Sequence, residues 1–145
     1  MSTLSPRLQT VLEALPLRPG LRVVEIGCGP GALAREIARR VAPDGHVLAV
    51  DRSPRAIEQL IASAGDLIAA GLLTTRTVAA EDLVLDPGVD RYDLALAVRV
   101  GAFDGRHPEA GERARRRVAH VLVPGGLLLV DGGDPLRELA VPVES

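Results

Sequence analysis

The segment V-V-E-I-G-C-G-P-G, Val23 to Gly31, joins an aliphatic run to three glycines at alternate positions, and a helical pattern follows at once. Glycine reaches positive φ freely, so a loop with so few side chains lets its backbone lie against a ligand. The first turn of the following helix directs unpaired N–H groups into the same space. Glu25 places a carboxylate at the end of the strand. The segment therefore predicts a strand, a loop and a helix that together form a cofactor site.

Composition limits the class of protein. The 145 residues are 47% hydrophobic and 25% charged, which fits a single folded domain over residues 1–145. All basic residues are arginine, which excludes Schiff-base chemistry and a P-loop lysine. A formal net charge of -2 gives no general attraction to nucleic acid or to an anionic membrane, so neither is expected as a partner. With one cysteine, no membrane-length apolar run and no signal-peptide pattern, we expect a cytoplasmic protein.

Short aliphatic runs alternate with segments whose apolar residues have helical spacing. Strands are predicted over residues 21–26, 46–51, 73–79, 93–98 and 127–130. Helices are predicted over residues 5–15, 30–41, 53–71 and 108–122, with a short helical candidate at 135–139. Ser5 and Ser53, each followed by a proline, are predicted to cap the starts of two of these helices. Most strands are unbroken apolar runs, so they should be buried on both faces. We therefore predict an α/β fold, a doubly wound, mostly parallel sheet of about five strands with helices on both faces.

The glycine loop fits two cofactor patterns. G-x-G-x-x-A from Gly27 to Ala32, with Asp51 about 20 residues further on, fits a dinucleotide site. G-x-G-x-G from Gly27 to Gly31, with Glu25 two residues before it, fits an S-adenosylmethionine site. The loop by itself leaves both cofactors open.

Four segments in order resemble the class I S-adenosylmethionine-dependent methyltransferases, between about Leu21 and Val130. They are E-I-G-C-G-P-G at 25–31, A-A-E-D-L at 79–83, R-Y-D-L-A-L-A at 91–97 and V-L-V-P-G-G-L-L-L-V at 121–130. The resemblance implies a Rossmann-like core, S-adenosylmethionine as the cofactor and methyl transfer to an unidentified small-molecule acceptor.

The resemblance also implies roles for individual residues. Asp51 would accept from both ribose hydroxyls, and Glu25 would face the methionyl amino group. Ala79 stands where the family often has an aspartate beside the adenine, so backbone or side chains of residues 80–82 are expected to replace that contact. The cofactor-binding residues predicted in this way are Glu25, Gly27, Cys28, Gly29, Gly31, Asp51, Arg52, Ala80, Glu81, Asp82 and Arg99.

Several of these residues have simpler interpretations. Glu81 and Asp82 would belong to a polar turn. Glu25 would be a surface carboxylate at the end of a strand, and Asp51 would order the helix start near Ser53. Cys28 is interpreted as a small apolar filler of the loop rather than as a reactive thiol.

The segment after the fourth strand, residues 99–107, is expected on the acceptor side, because ligands of open α/β sheets lie beyond the carboxyl ends of the strands. His107 is its only histidine and a weak candidate for a general base, with a solvated loop histidine as the alternative. Arg99 and Arg106 suit an acidic acceptor, with plain surface charge as the alternative.

No metal site is expected. The sequence has no paired cysteine and histidine spacing typical of metal ligands. Asp131 and Asp134 would suit a divalent ion, as in metal-dependent O-methyltransferases, but the fourth strand ends in Arg99 rather than in an acid.

The end of the sheet is expected to differ from that of the family, whose seven strands finish in an antiparallel hairpin. Few residues follow the predicted fifth strand, and at most 139–143 are expected to pair with it, where Pro142 limits pairing. We therefore expect a short form of the fold with an exposed fifth strand, covered by a second copy of the chain or by another partner. A non-catalytic cofactor-binding or partner module is the alternative function, and an NAD-binding domain is less favoured.

Overall fold

Strands and helices alternate through residues 4–143, the part of the chain that the computed structural model describes. The strands are β1 (Arg22–Ile26), β2 (His46–Asp51), β3 (Leu73–Thr77), β4 (Tyr92–Ala97), β5 (Leu122–Asp131) and β6 (Leu136–Leu139). The helices are α1 (Pro6–Ala14), α2 (Ala32–Val41), α3 (Pro54–Ser63), α4 (Gly65–Ala69) and α5 (Pro108–Val121). The sheet order is β3-β2-β1-β4-β5-β6, in which only β6 runs antiparallel to its neighbour. The predicted doubly wound α/β fold is confirmed, with six strands instead of about five.

Two apolar layers cover the two faces of the sheet. Val23 packs with Ile37 and the other buried residues of α1 to α4 on one face. Val24, the next residue of the same strand, packs with Val118 of α5 on the other face. Successive side chains of a strand point to opposite faces, so a strand covered on both sides is mainly apolar, and Glu25 is the buried exception in β1.

The starts of α1 and α3 follow the signals in the sequence. The Leu8 N–H donates to Ser5 Oγ at 3.2 Å, and the Ala56 N–H donates to Ser53 Oγ at 3.2 Å. A proline follows each serine as the first helical residue, where its missing N–H costs nothing. Both helices therefore begin where the sequence predicts, at Pro6 and at Pro54.

Residues 136–139 form the strand β6, so the short helix expected over 135–139 is wrong. β6 places Leu136 opposite Asp131 and Leu139 opposite Leu128 of β5. Leu136 packs on the first apolar layer and Leu139 on the second, as alternation along a strand requires. The expectations of an exposed β5 and of pairing only at 139–143 are therefore wrong, because β6 covers this edge of β5.

Three smaller expectations also need correction. The helix predicted over residues 53–71 is two helices, because the backbone turns at Ala64, where φ is -121°. Ile61, whose helical spacing with Ile57 predicts the buried face, is 47% exposed. β5 begins at Leu122 rather than at 127. The proline and glycines at 124–126 do not end the strand, because its pairing with β4 shifts register there and then continues. Within residues 4–143, no helix is long and apolar enough to cross a membrane.

Candidate cofactor site

The loop between β1 and α2 has the backbone that its glycines predicted. The φ angles are +74° at Gly27, +56° at Gly29 and +90° at Gly31, values that residues other than glycine rarely adopt. A Cβ on Gly27 would lie 2.7 Å from Val100 Cγ2, and a Cβ on Gly31 would lie 2.1 Å from Leu60 Cδ1. A side chain at Gly27 or Gly31 would therefore force Val100 or Leu60 to move, in addition to the cost of the backbone conformation.

Asp51, the last residue of β2, is bound to the loop. Its Oδ2 accepts from the Gly29 N–H at 2.9 Å, and its Oδ1 accepts from the Ser53 N–H at 2.8 Å. The simpler interpretation, in which Asp51 orders the chain near Ser53, is thus part of the structure. A carboxylate oxygen has more than one lone pair, so each oxygen can still accept from a ligand hydroxyl.

Two open clefts lie beyond the carboxyl ends of the strands. The first cleft, of about 540 Å³, is lined by residues that include Asp51, Arg52, Val78, Ala79, Ala80, Glu81, Val100, Gly101, Ala102 and His107. The second cleft, of about 640 Å³, is lined by residues that include Ser5, Arg7, Leu8, Glu25, Cys28, Leu33 and Val98. Gly27 and Arg99 line both clefts, whereas Asp51 lines only the first and Glu25 only the second.

Glu25 is a buried acid without a partner. It is 4% exposed and the only buried polar or charged residue in the described part of the chain. Its Oε1 has no hydrogen bond. Burial, and then the negative charge of Asp51, raise the pKa of Glu25 to about 8. The interpretation of Glu25 as a surface carboxylate is wrong. A buried oxygen without a hydrogen bond is energetically costly, and a cationic donor bound at Oε1 would supply that bond.

Cys28 is held inside the loop. The residue is 7% exposed, and its thiol donates weakly to the Gly29 carbonyl at 3.4 Å. Burial, followed by the negative charges of Glu25 and Asp51, raises the pKa of the Cys28 thiol well above its usual range. The thiolate needed for nucleophilic attack is therefore disfavoured, as the interpretation of Cys28 as an apolar filler requires.

Some of the remaining predicted residues line the first cleft, and others form ion pairs with neighbouring side chains. Arg52, Ala80, Glu81, Arg99 and His107 line the first cleft. Asp82 is turned to α5, where its Oδ1 lies 2.6 Å from Arg113 Nη2. Arg106 forms an ion pair with Asp104 at 2.6 Å on the protein surface, so its charge already has a partner within the chain. Between residues 4 and 143, no group of three or more potential ligands could hold a metal ion.

The contribution of α1 to the site has no signal in the sequence. Ser5, Arg7 and Leu8, in the cap and first turn of α1, line the second cleft together with residues of the glycine loop. The sequence shows only an amphipathic helix there, and its position over the loop depends on contacts between distant parts of the chain.

Known proteins share this fold and parts of this sequence. A family model described as a methyltransferase domain matches residues 23–126. The ubiquinone/menaquinone biosynthesis C-methyltransferase UbiE of Bordetella avium (strain 197N) is 35% identical over 115 residues, which are 79% of this chain and 41% of that protein. An uncharacterized 37.1 kDa protein in transposon TN4556 of Streptomyces fradiae is 32% identical over 127 residues, 86% of this chain and 33% of that protein.

A solved structure adds a ligand to the comparison. The S-adenosylmethionine-dependent methyltransferase from Geobacter sulfurreducens, in complex with S-adenosyl-L-homocysteine, is 28% identical with a TM-score of 0.64. The match covers 88% of this chain and 48% of that one. This chain therefore spans less than half the length of these relatives.

Proposed function

This chain belongs to the class I S-adenosylmethionine-dependent methyltransferases, and on that premise we propose that it transfers the methyl group of S-adenosylmethionine to a small-molecule acceptor. One observation carries the proposal. The two clefts meet at Gly27. The carboxylate of Asp51 lines only the first cleft, which Glu81 also lines, and that of Glu25 lines only the second. S-adenosylmethionine carries ribose hydroxyls at one end and an ammonium at the other, so its two ends match the two carboxylates.

The residues present fit this cofactor. We propose that Asp51 accepts from the ribose hydroxyls and that the unpartnered Oε1 of Glu25 accepts from the ammonium. Gly27 would let the backbone approach the ligand where the two clefts meet. The backbone of Ala80 and Glu81 is the proposed neighbour of the adenine, since both residues line the first cleft.

The chain's part in the reaction is chiefly alignment. When bound, S-adenosylmethionine supplies an electrophilic methyl group, which an acceptor atom takes by in-line displacement. Holding the two reactants in line accounts for much of the rate that an enzyme can add to such a reaction. A base is needed only for an acceptor atom that must lose a proton, and His107, which lines the first cleft, is our candidate for that role.

Calorimetry with three ligands tests the proposal. S-adenosylhomocysteine and 5′-methylthioadenosine should bind, the second more weakly because it has no amino-acid end. NAD should not bind. Binding of NAD in place of S-adenosylhomocysteine would contradict the proposal. A screen of small-molecule acceptors for methyl turnover would then identify the substrate.

Replacing Asp51 by alanine should weaken both S-adenosylhomocysteine and 5′-methylthioadenosine by roughly 1.5–3 kcal/mol, the range for hydrogen bonds to charged groups. Both ligands should respond because both carry the ribose. Asp51→Asn keeps a side chain that can accept from Gly29, so it separates the charge from the order of the loop. Asp44→Ala, in an exposed turn, is the control. Unchanged affinity in the Asp51 variants would show that this residue is misassigned.

Location and assembly are also proposals. We propose a cytoplasmic location, because a single buried cysteine suits a reducing compartment. A homodimer or a partner chain was expected on an exposed β5, but at that side of the sheet the outer edge of β6, rather than of β5, is left for such pairing. A mass of two chains in light scattering at micromolar concentration would support the homodimer, and a mass of one chain would contradict it.

A further inference from the structure

Asp131, at the carboxyl end of β5, is bound to two walls of the second cleft. Its Oδ1 accepts from the Arg99 backbone N–H at 3.1 Å, and its Oδ2 accepts from Arg7 Nη2 at 3.0 Å. Arg7 belongs to α1, Arg99 follows β4, and both line the second cleft. We propose that Asp131 is a positioning residue that holds these walls in the shape that the amino-acid end of the cofactor requires. This inference rests on the proposed function.

The backbone of Arg99 needs support. With φ at +57°, Arg99 is the only non-glycine residue at positive φ within residues 4–143. That conformation is disfavoured for a residue with a Cβ, and such residues persist where their surroundings hold them. A hydrogen bond from the Arg99 N–H to an ionised carboxylate is a strong one, so Asp131 supplies such support.

The conformation of Arg99 decides the form of both clefts. Val98 lines only the second cleft, and Val100 lines only the first. Val100 also lies against Gly27, where the clefts meet. If the turn at Arg99 relaxed, Val98 and Val100 would move relative to the glycine loop. Asp131 therefore acts on the site through Arg99, although it lines neither cleft itself.

The pair between Arg7 and Asp131 serves position rather than stability. The side chains are 42% and 30% exposed, and ion pairs with that exposure contribute little to the free energy of folding. Arg7 nevertheless ties the first turn of α1 to the end of β5, two elements that are 124 residues apart in sequence. Variants of Asp131 should consequently fold, which makes the proposal testable.

Calorimetry on the full chain with two ligands separates positioning from general damage. Asp131→Ala should weaken S-adenosylhomocysteine about tenfold, because the turn at Arg99 would have to be ordered on binding without its hydrogen bond to a charged group. Its affinity for 5′-methylthioadenosine should stay within about twofold, because this ligand lacks the amino-acid end. Asp131→Asn retains an acceptor for the Arg99 N–H and should lose less. Asp134→Ala, in the same turn, is the matched control and should change neither affinity.

A second background tests the route through Arg99. Glycine adopts positive φ freely, so Asp131→Ala should weaken S-adenosylhomocysteine less in an Arg99→Gly background than in the wild-type chain. An equal loss for both ligands, no loss for S-adenosylhomocysteine, or an undiminished loss in the Arg99→Gly background would each overturn the inference. If the wild-type chain binds neither ligand, the proposed function itself is contradicted.

Discussion

Replacing Glu25 by glutamine should remove a large pH dependence of stability between about pH 5 and 8. The pKa of Glu25 rises from 4.5 to about 8 in the folded protein, first through burial and then through the charge of Asp51. Across that range the folded protein keeps a proton that the unfolded chain has lost. The contribution of Glu25 to the free energy of unfolding is therefore fully present below about pH 4.5. It is lost as the pH rises toward 8.

The size of this effect follows from the shift in pKa. Each unit corresponds to about 1.4 kcal/mol, so wild type should lose roughly 4 kcal/mol relative to Glu25→Gln between pH 4.5 and 8. Urea unfolding of both proteins at steps across this range measures the difference. Glu58→Gln, on the exposed face of α3, is the control and should follow wild type. Parallel profiles for wild type and Glu25→Gln would contradict the assignment of a buried, protonated acid.

The same carboxyl links ligand binding to pH. An ammonium at Oε1 favours the ionised form of Glu25, so binding of S-adenosylhomocysteine should release the proton to the buffer. The affinity should then rise between about pH 6 and 8 in wild type and stay level in Glu25→Gln. 5′-Methylthioadenosine, which has no ammonium, should show no such rise in either protein.

Local signals in the sequence were enough for the parts of the fold that depend on neighbouring residues. The serine and proline pairs at Ser5 and Ser53 predicted the starts of α1 and α3 because the capping bonds span only three residues. The run from Val23 to Gly31 predicted β1 and its loop, because the ability of glycine to adopt positive φ does not depend on distant parts of the chain.

Features that depend on distant contacts were not accessible in the same way. Leu136 and Leu139 are three residues apart, a spacing that fits a helical face and, over so short a segment, also fits two sides of a strand. Only β5 beside them decides for the strand. The role of Asp131 likewise needs Arg7 and Arg99, which are 124 and 32 residues away from it in the sequence.

Gly31→Ala should destabilise the protein by roughly 2–5 kcal/mol. The φ of +90° adds about 1–2 kcal/mol for a residue with a Cβ. The new Cβ would also lie 2.1 Å from Leu60 Cδ1, and since Leu60 is fully buried, such overpacking adds about 1–3 kcal/mol. The free energy of unfolding in urea measures the sum.

Gly29→Ala is the matched control from the same loop. Its φ is +56°, but a Cβ there would meet nothing within 4 Å, so only the conformational part of the loss should appear. Equal losses for Gly29→Ala and Gly31→Ala would contradict a role for Leu60. A larger loss for Gly31→Ala would mean that the third glycine, which favoured S-adenosylmethionine over a dinucleotide, is required by the packing of α3 against the loop. In that case the third glycine would serve to let α3 pack closely against the loop. Recognition of the ligand would be left to the carboxylates of Glu25 and Asp51.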